Sequence, residues 1–367
     1  MSHHLSHSSL ARFQTCPTSW KHHYVSRIRP KRLHAALNFG SAIDAAIGAL
    51  VENSDDAESV FDKLWRFQYV NSVETYLPTS IDIVYAKTDF DIDLIDQTKL
   101  ATFDLTLKQI KEAIDYKNDK GFDNIPDEIK VICNVGYWLT LHTKGLLMIE
   151  AFRKKVLPKF NKIHSTQEKI ELENDEGDKI IGFVDLVCEV KDYGNVVLDV
   201  KTSAREYEDN SVKYSPQLTL YVNSLSEKYN TRKAGFIVLS KQIIKNKTKI
   251  CSVCKYDGSE GRAKTCDQEK LQMVESKKGP TEKMVRCNGE WNESIKPEAW
   301  VQFLIDEIPA AAEQLVMQNI QDINDAIKHG VFTKNLSKCL DNYGKPCEFL
   351  SLCYEGKMDG LVYQEKK

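Results

Sequence analysis

The strongest constraint on the fold is a β-hairpin pattern that leads into a helix pattern between residues 182 and 221. Residues 182–190 and 196–202 are apolar and rich in β-branched side chains, and a Lys-Asp-Tyr-Gly-Asn turn signal separates them. Ser215 and Pro216 follow as an N-cap and a first-turn proline, which predicts that a helix begins there. This order of elements predicts an α/β protein in which a sheet is joined to a flanking helix.

Two charged residues share one face of the second predicted strand. Asp199 and Lys201 are two residues apart, so both side chains leave the same side of the pleat. Asp185 on the first strand can bring a second carboxylate there, and two carboxylates with waters commonly hold Mg²⁺. Lys201 would then orient or deprotonate a water and offset charge on a phosphate. A surface ion pair is the alternative for an isolated Asp-x-Lys, but the hairpin and helix around it favour catalysis.

The order of these residues resembles a known family of nucleases. The patterns are Gly-x-x-Asp at 182–185, Asp-x-Lys-Thr at 199–202 and Gln-x-x-x-Tyr at 217–221. Together they resemble the RecB-type branch of the PD-(D/E)XK nuclease superfamily. The resemblance implies a restriction-endonuclease-like α/β core, with a mixed central sheet flanked by helices. It also implies Mg²⁺- or Mn²⁺-dependent hydrolysis of DNA that leaves a 5′-phosphate.

The resemblance assigns roles to the matching residues. It implies metal ligation by Asp185, Asp199 and the Val200 carbonyl, catalysis by Lys201, and DNA contact or support of the site by Gln217 and Tyr221. Glu168 lies in the strand-like segment 166–172 and matches a glutamate often seen in the family. A site role for Glu168 and a plain charge on the strand face are equal alternatives.

Two N-terminal segments extend the same resemblance. Residues 5–17 are similar to the helix that opens these nucleases and ends in Cys-Pro, here Cys16 and Pro17. Residues 38–44 resemble the family helix that usually carries a metal-facing histidine, and Asp44 occupies that position here. A carboxylate oxygen suits Mg²⁺ or Mn²⁺. The alternative for Asp44 is an ordinary aspartate on the helix surface.

Composition sets the expected compartment. The chain has 367 residues, a net charge of -3 and ten cysteines. It shows no apolar segment of about 18 residues and no secretory pattern, so we expect a cytoplasmic protein with no membrane partner. With this net charge, contact with DNA requires local basic patches. Cysteines in such a compartment predict metal ligation rather than disulfides.

Four cysteines near the two ends of the chain form one candidate cluster site. They are Cys16, Cys339, Cys347 and Cys353. Four thiolates are what a [4Fe-4S] cluster requires. The resemblance extends to AddB-type and CRISPR-adaptation nucleases, in which one early and three late cysteines bind such a cluster. The seven residues between Cys339 and Cys347 depart from the usual shorter family spacing. Zinc at the same thiolates, or unligated cysteines, are the alternatives.

A second cysteine set lies in the polar segment 246–294. Its members are Cys251, Cys254, Cys266 and Cys287, and the first two form a Cys-x-x-Cys knuckle. This pattern is typical of a tetrahedral Cys₄ zinc site. The segment is too polar to form a core alone, so a bound metal would supply the missing stability. We therefore expect a structural Zn²⁺ there.

The predicted organisation has five parts. They are N-terminal helices of the nuclease core (1–44), a helical insertion (45–160), the core sheet with the Gln-x-x-x-Tyr helix (161–245), the zinc insert (246–294) and C-terminal helices with the late cysteines (295–367). In the last part, helices are predicted from Pro297 to about His329.

These features together predict a Mg²⁺- or Mn²⁺-dependent deoxyribonuclease. We expect an exonuclease of recombination or repair that acts on single strands or duplex ends. The organisation resembles phage-encoded and bacterial versions of the fold. The chain has no helicase P-loop, so a helicase or recombination protein would be a separate partner. The alternatives are an inactive nuclease-fold DNA-binding subunit, or a subunit of a helicase-nuclease or CRISPR adaptation complex.

Overall fold

The computed structural model of the chain describes residues 5–30, 35–52, 56–65, 90–174, 177–258, 264–266, 268–276, 279–340 and 346–364. These residues divide into two compact units. One consists of Met1–Lys241 and Val301–Lys367, and the other of Gln242–Trp300. Strands β5 (Lys233–Cys251) and β8 (Trp291–Glu307) continue from the larger unit into the smaller one.

Helices and strands are numbered in chain order. The helices are α1 (His7–Thr15), α2 (Pro17–Trp20), α3 (Ala35–Val51), α4 (residues 57–65), α5 (Gln97–Leu100), α6 (Leu107–Lys120), α7 (Asp127–Lys155), α8 (Pro216–Tyr229), α9 (Ala310–Lys328) and α10 (Leu350–Glu355). The other strands are β1 (Ile28–Pro30), β2 (Phe160–Glu173), β3 (Lys179–Val190), β4 (Gly194–Ser203), β6 (Glu269–Ser276), β7 (Gly279–Arg286) and β9 (Leu361–Tyr363).

A mixed sheet with the strand order β2-β3-β4-β5-β8 forms the centre of the larger unit. Strands β2, β3 and β4 are antiparallel neighbours, and β4 runs parallel to β5. A parallel neighbour requires a crossover connection, and α8 provides it between β4 and β5. The predicted class, an α/β fold with a mixed central sheet and flanking helices, is confirmed.

The β3–β4 hairpin places the predicted carboxylates where its strands separate. Its pairing begins at Val190 and Gly194 next to the turn, and ends at Leu186 and Leu198. Asp192 and Gly194 adopt φ values of 66° and 74°, the left-handed conformation that a tight turn needs and glycine permits. Asp185 and Asp199 come directly after the last pair, so both carboxylates lie at the end of the hairpin's pairing.

Helix α8 covers one face of the sheet. Its N-terminus is fixed by Ser215, whose Oγ accepts a hydrogen bond from the Leu218 amide at 3.2 Å, and by a proline in the first turn. Its apolar side chains pack with those of the sheet in a buried cluster that includes Val184, Val197, Leu218, Val222 and Phe236. This packing fixes the helix against the end of the hairpin.

The described part of the predicted insertion 45–160 consists of helices and turns before β2. Its long helix α7 stacks Trp138 against Trp65 of α4, with ring centroids 3.7 Å apart. The expected extent of this insertion includes residues 53–55 and 66–89, which lie outside the described residues. No helix among the described residues, the 29-residue α7 included, is long and apolar enough to cross a membrane.

The helical prediction that began at Pro297 is wrong for its first part. Residues 297–307 belong to β8, and the helix α9 begins only at Ala310. β-Branched and aromatic residues dominate 300–305, which favours a strand. Pro297 lacks an amide donor, but β8 lies at the edge of its sheet, where a proline is tolerated.

The smaller unit contains a regular hairpin and a Cys-x-x-Cys turn. Strands β6 and β7 pair antiparallel from Glu269 and Arg286 to Ser276 and Gly279. A bridge between Ile250 and Asp257 closes the turn that holds the first two cysteines.

Candidate active site and cysteine centres

Three carboxylates, those of Asp44, Asp185 and Asp199, lie within electrostatic reach of one another at the end of the β3–β4 pairing. Asp199 is 1% exposed, and Asp185 accepts a hydrogen bond at Oδ2 from the Val200 amide at 2.8 Å. Helix α3 packs against β2 and β4 and brings Asp44 close enough to act electrostatically on both. The hairpin and α3 thus assemble the carboxylates that were predicted to hold a metal.

Burial and mutual repulsion disfavour the charged forms of these carboxylates. Burial raises the pKa of Asp44 to about 7, the charge of Asp185 adds to the shift, and Lys201 opposes it. Burial also raises the pKa of Asp199 and of Asp185, and Lys201 opposes both shifts. Several desolvated carboxylates in one place are costly without a cation. The site therefore favours a divalent ion.

The two oxygens of Asp199 have different surroundings. Oδ1 accepts a hydrogen bond from Gln217 Nε2 at 2.8 Å. Oδ2 is buried and lies 2.7 Å from Lys201 Nζ, yet no well-aligned hydrogen bond reaches it within the described part of the chain. A buried oxygen with free lone pairs next to other carboxylates is a suitable ligand atom for Mg²⁺ or Mn²⁺.

Lys201 is held as a cation in this environment. Burial alone would lower the pKa of Lys201, but the carboxylates of Asp199 and Asp185 outweigh burial, and the net shift is upward. A protonated amine can donate hydrogen bonds and neutralise negative charge, but it cannot accept a proton. The geometry therefore favours charge stabilisation by Lys201 over the general-base role.

Gln217 and Tyr221 support Asp199 from the N-terminal half of α8. Gln217 Nε2 donates to Asp199 Oδ1 and also lies 2.7 Å from the Tyr221 hydroxyl. Tyr221 is 5% exposed, so little of its surface is open to a substrate. Of the two predicted roles, DNA contact and support of the site, this geometry fits support.

Glu168 and its neighbour Gln167 contact different parts of the protein. Glu168 accepts hydrogen bonds from Lys228 Nζ at 2.6 Å and from the Tyr229 hydroxyl at 2.5 Å, near the C-terminal end of α8. The side chain that reaches Asp185 is that of Gln167, whose Nε2 donates to Oδ1 at 3.3 Å. The structure therefore does not bring Glu168 to the carboxylates through any described contact.

Sequence reasoning missed three residues near Lys201 and Asp185. One is Gln167, which has a φ of 46° that no sequence signal reveals. The others are His7, at the first position of α1, and Tyr207, in the loop before α8. Burial lowers the pKa of His7, and Lys201 lowers it further, so this imidazole is neutral. Burial raises the pKa of Tyr207, which also lies within the electrostatic influence of Lys201.

The Cys₄ set in the smaller unit has the geometry of a tetrahedral metal site. The Sγ atoms of Cys251 and Cys287 are 3.6 Å apart, and those of Cys254 and Cys266 are 3.5 Å apart. All four lie within 4.8 Å of one another. A zinc–sulfur distance of about 2.3 Å requires sulfurs roughly 3.8 Å apart. The predicted set is thus assembled and fits one metal ion.

Backbone amides favour the thiolate form of Cys251, whereas burial raises the pKa of Cys266. The amides of Val253 and Cys254 each donate to Cys251 Sγ at 3.4 Å. Burial acts to raise the pKa of Cys251, but these amides outweigh it and lower the pKa to about 6. Thiolate is the form that a metal requires.

The four terminal cysteines line one pocket together with Phe349 and Tyr354. These cysteines are Cys16, Cys339, Cys347 and Cys353. Within the described part of the chain, only the Cys251 group brings three or more Cys, His, Asp or Glu ligand atoms within 4.8 Å of one another. The terminal sulfurs, like the carboxylates around Lys201, are therefore spaced more widely than one tetrahedral ion requires.

Each terminal sulfur has a polar neighbour. The Asn335 amide donates to Cys16 Sγ at 3.5 Å, and His22 Nε2 lies 3.7 Å from Cys353 Sγ. The Phe349 amide donates to Cys347, and the Tyr354 hydroxyl bonds with Cys339. Such donors stabilise thiolates that ligate a cluster.

A family comparison covers this site and most of the remaining chain. The family model of the PD-(D/E)XK nuclease superfamily matches residues 4–354. The matched region includes the β3–β4 hairpin, α8 and all the cysteines of both sets. A search of curated proteins found no significant match.

Proposed function

The chain belongs to the PD-(D/E)XK nuclease superfamily, and from this premise we propose that it is a Mg²⁺- or Mn²⁺-dependent deoxyribonuclease of the RecB-like branch. The observation that carries the proposal is the buried Oδ2 of Asp199, which lies 2.7 Å from the Lys201 ammonium. It supplies a ligand oxygen and a cation at one place, as phosphodiester hydrolysis requires.

Asp185 and Asp199 are the residues that would hold the ion, and Asp44 and the Val200 carbonyl are further oxygens near them. Mg²⁺ usually takes one or two carboxylates and keeps several waters, so the wide spacing of the three carboxylates is compatible with it. A bound divalent ion would polarise the scissile phosphate and activate a water.

The side chains of the site would each perform a separate task. The Lys201 ammonium would donate to the phosphate and stabilise the charge that develops as the 3′ oxygen leaves. Gln217 would fix the Asp199 carboxylate in one orientation through Oδ1. Gln167 and the Val200 amide would do the same for Asp185. The product would carry a 5′-phosphate.

Two lysines near the end of β4 support a polyanionic substrate. They are Lys241 and Lys144. Lys241 follows Ser240, which pairs with Ser203 at the end of β4. The Nζ atom of Lys241 lies 5.3 Å from the centre of the Phe39 ring on α3. Burial lowers the pKa of Lys241, and the nearby charge of Lys144 lowers it further. No ion pair within 4.0 Å is formed by either lysine among the described residues. Positive charge near the end of β4 suits a nucleic-acid backbone.

The nuclease proposal is tested by cleavage of labelled linear DNA, single-stranded and duplex, with Mg²⁺ or Mn²⁺. Wild-type protein should cleave, Lys201→Ala should lose at least ~100-fold of the rate, and Lys108→Ala, which removes an exposed lysine of α6, should be unaffected. Equal silence of wild type and Lys201→Ala with both ions would favour the inactive DNA-binding subunit. Shortening of end-labelled strands with circular DNA left intact would identify an exonuclease.

We also propose that Cys251, Cys254, Cys266 and Cys287 hold a structural Zn²⁺. The sulfur spacing supports zinc, since it matches a tetrahedron of zinc–thiolate bonds. Metal analysis should find about one zinc per chain in wild type. Cys254→Ser should lose it, and Cys133→Ala, which removes a cysteine outside both sets, should keep it.

A [4Fe-4S] cluster is the proposed occupant of the terminal pocket. Four irons lie between the thiolates of such a cluster, which spaces the sulfurs more widely than a single zinc ion does. The wide spacing of these sulfurs and their hydrogen-bond donors support this assignment. Anaerobically purified protein should absorb broadly near ~400 nm and contain about four irons. Zinc at both cysteine sets would refute it.

The cellular role completes the proposal. The motif resemblance supports DNA recombination or repair in the cytoplasm of a bacterial or phage-infected cell, with a helicase or recombination protein as a candidate partner. Co-purification of a motor protein with the full chain would support assembly into a helicase-nuclease. Co-purification of CRISPR adaptation proteins would identify the alternative complex.

A further inference from the structure

Tyr207 carries a hydroxyl group beside the candidate active site. The residue is half-buried in the segment that connects β4 to α8. Its backbone is hydrogen-bonded, but its hydroxyl forms no hydrogen bond within the described part of the chain. A phenolic hydroxyl can both donate and accept, so this group is available to a ligand.

The sheet register places the Tyr207 ring next to Asp199. In the parallel pairing of β4 with β5, Asp199 is opposite Phe236, and paired residues of neighbouring strands face the same side of a sheet. The Tyr207 ring packs edge-on against the Phe236 ring, with the ring centroids 5.3 Å apart. Tyr207 therefore lies on the face that α8 covers, which also carries Asp199 and Lys201.

A side chain of β8 fixes the backbone of Tyr207. The Tyr207 amide donates to Gln302 Oε1 at 2.9 Å, and Gln302 Nε2 donates to the Tyr207 carbonyl at 2.8 Å. One amide side chain thus satisfies both backbone polar groups of a single loop residue, as a neighbouring strand would. Together with the contact to Phe236, this clamp holds the hydroxyl in one position although the residue belongs to a surface connection.

The charges that act on the Tyr207 hydroxyl belong to the active site. Burial raises the pKa of Tyr207, Lys201 opposes the increase, and Asp199 adds to it. The adjacent Glu206 and Glu208 are exposed, and neither contributes to this pKa shift. Because the net shift is upward, the hydroxyl stays protonated at neutral pH and can donate a hydrogen bond.

Lys201 and Tyr207 offer two donors to one acceptor. The Lys201 side chain is 32% exposed, so a substrate can reach its ammonium group. The two residues influence each other through their charges, but no hydrogen bond joins them within the described residues. Two neighbouring donors that are not bonded to each other can converge on one anionic oxygen. Donors placed where charge develops contribute strongly to phosphoryl transfer.

We propose that the Tyr207 hydroxyl donates a hydrogen bond to a non-bridging oxygen of the scissile phosphate and, with Lys201, stabilises the charge that develops there. The hydroxyl keeps its proton throughout, so the contact adds no proton-transfer step. Gln302 acts through Tyr207 and is a positioning residue. This inference rests on the proposed nuclease function and adds a catalytic residue outside the three sequence patterns at 182–185, 199–202 and 217–221.

Tyr207→Phe isolates the proposed contact, because it removes the hydroxyl and keeps the ring against Phe236. On linear DNA with Mn²⁺, this change should lower kcat about 10- to 150-fold and leave the shape of the pH profile unchanged. Tyr214→Phe is the matched control, since it removes the hydroxyl of a 70%-exposed tyrosine in the same connection, and it should cleave like wild type. Cleavage by Tyr207→Phe at the wild-type rate would overturn the inference.

Sulfur substitution in the substrate distinguishes a phosphate contact from a structural role. Each non-bridging oxygen of the scissile phosphate is replaced in turn by sulfur, which is a weak hydrogen-bond acceptor. On one of the two isomers the loss caused by Tyr207→Phe should shrink, because the contact is already weakened in wild type. An equal loss on both isomers and on unmodified DNA would assign Tyr207 to folding or packing and end the proposal.

The clamp is tested by combining two substitutions. Gln302→Leu alone should lower kcat toward the value of Tyr207→Phe. Added to Tyr207→Phe, it should cause little further loss, because the hydroxyl through which Gln302 acts is already absent. Losses that multiply in the double variant would show that Gln302 does not act through Tyr207.

DNA binding separates this inference from the nuclease proposal. Binding of a labelled oligonucleotide to full-length protein is measured by fluorescence anisotropy in Ca²⁺, which binds carboxylates with a looser geometry than Mg²⁺ and is used here to limit cleavage. Tyr207→Phe should weaken binding about 2- to 10-fold. Wild type that binds DNA but cleaves none with Mg²⁺ or Mn²⁺ would refute the nuclease proposal alone. Equal binding by Tyr207→Phe in that case, or no DNA binding by wild type, would refute the phosphate contact.

Discussion

Replacing Asp44 by asparagine is expected to stabilise the protein when no divalent ion is bound at the carboxylates. The pKa of Asp44 is raised from 3.8 to about 7, first by burial and then by the charge of Asp185, against the opposing effect of Lys201. Asparagine has nearly the same shape and carries no charge. It therefore removes the cost of ionising a buried carboxylate and keeps the packing of α3.

The size of the effect follows from the pKa shift. Between pH 3.8 and about 7 the unfolded chain has lost a proton that folded Asp44 retains. The contribution of Asp44 to stability is therefore greatest at low pH and is lost as the pH rises through this window, by about 1.4 kcal/mol per unit. The total loss above pH 7 is on the order of 4 kcal/mol. Asp44→Asn avoids this loss, so its advantage should be near zero at about pH 4 and greatest at about pH 8.

Urea unfolding without added Mg²⁺ or Mn²⁺, followed by circular dichroism at several pH values, measures this difference. Asp115→Asn, which removes an exposed aspartate of α6, is the matched control and should show no such pH dependence. Added Mn²⁺ should reduce the difference in stability between Asp44→Asn and wild type, because the ion binds the wild-type carboxylates more strongly than those of the variant. Equal stability of Asp44→Asn and wild type at pH 8, or an advantage independent of pH, would show that ionisation of Asp44 does not destabilise the protein.

Two further outcomes are expected from other contacts. Gly235→Ala should lower the free energy of unfolding by several kcal/mol, because a β-carbon there would clash with the backbone oxygen of Leu304. A β-carbon at Gly48 meets open space, so Gly48→Ala should be neutral or slightly stabilising. Thermal unfolding distinguishes the two variants. Gln217→Leu should lower the rate of DNA cleavage about 10- to 100-fold, because Asp199 loses the donor that orients it; metal-saturated kinetics that match wild type would contradict this role.

The hairpin and α8 could be predicted because their signals are local. The turn after Val190 contains Gly194, and Ser215 with Pro216 marks the start of α8. Residues two apart in a strand and four apart in a helix share a face, so the meeting of Asp199 with Lys201 and of Gln217 with Tyr221 followed from spacing alone.

The surroundings of Asp185 could not be predicted because they depend on long-range register. Thr166 and Glu168 pair with Leu186 and Val184, and the left-handed backbone of Gln167 between them sends its amide to Asp185. No sequence pattern specifies a positive φ at a glutamine. The approach of His7 to Lys201 is likewise set by tertiary packing at the N-terminus of α1.

The assignment of β8 failed for a related reason. Its residues 297–307 have no strict alternation of apolar and polar side chains, so period alone did not separate strand from helix. Pairing at the edge of the central sheet decides the outcome. The β-branched and aromatic residues at 300–305 favour a strand, and pairing with β5, which lies far away in sequence, reinforces that preference.

We propose that carboxylates of the β3–β4 hairpin hold the divalent ion that drives DNA cleavage. Mn²⁺ binding measured by electron paramagnetic resonance on full-length protein, with cleavage of linear DNA measured in parallel, tests this directly. Wild type and Asp115→Asn should bind Mn²⁺ and cleave, and Asp199→Asn, with its fold retained by circular dichroism, should lose both. Unchanged Mn²⁺ binding or unchanged cleavage in Asp199→Asn would contradict it.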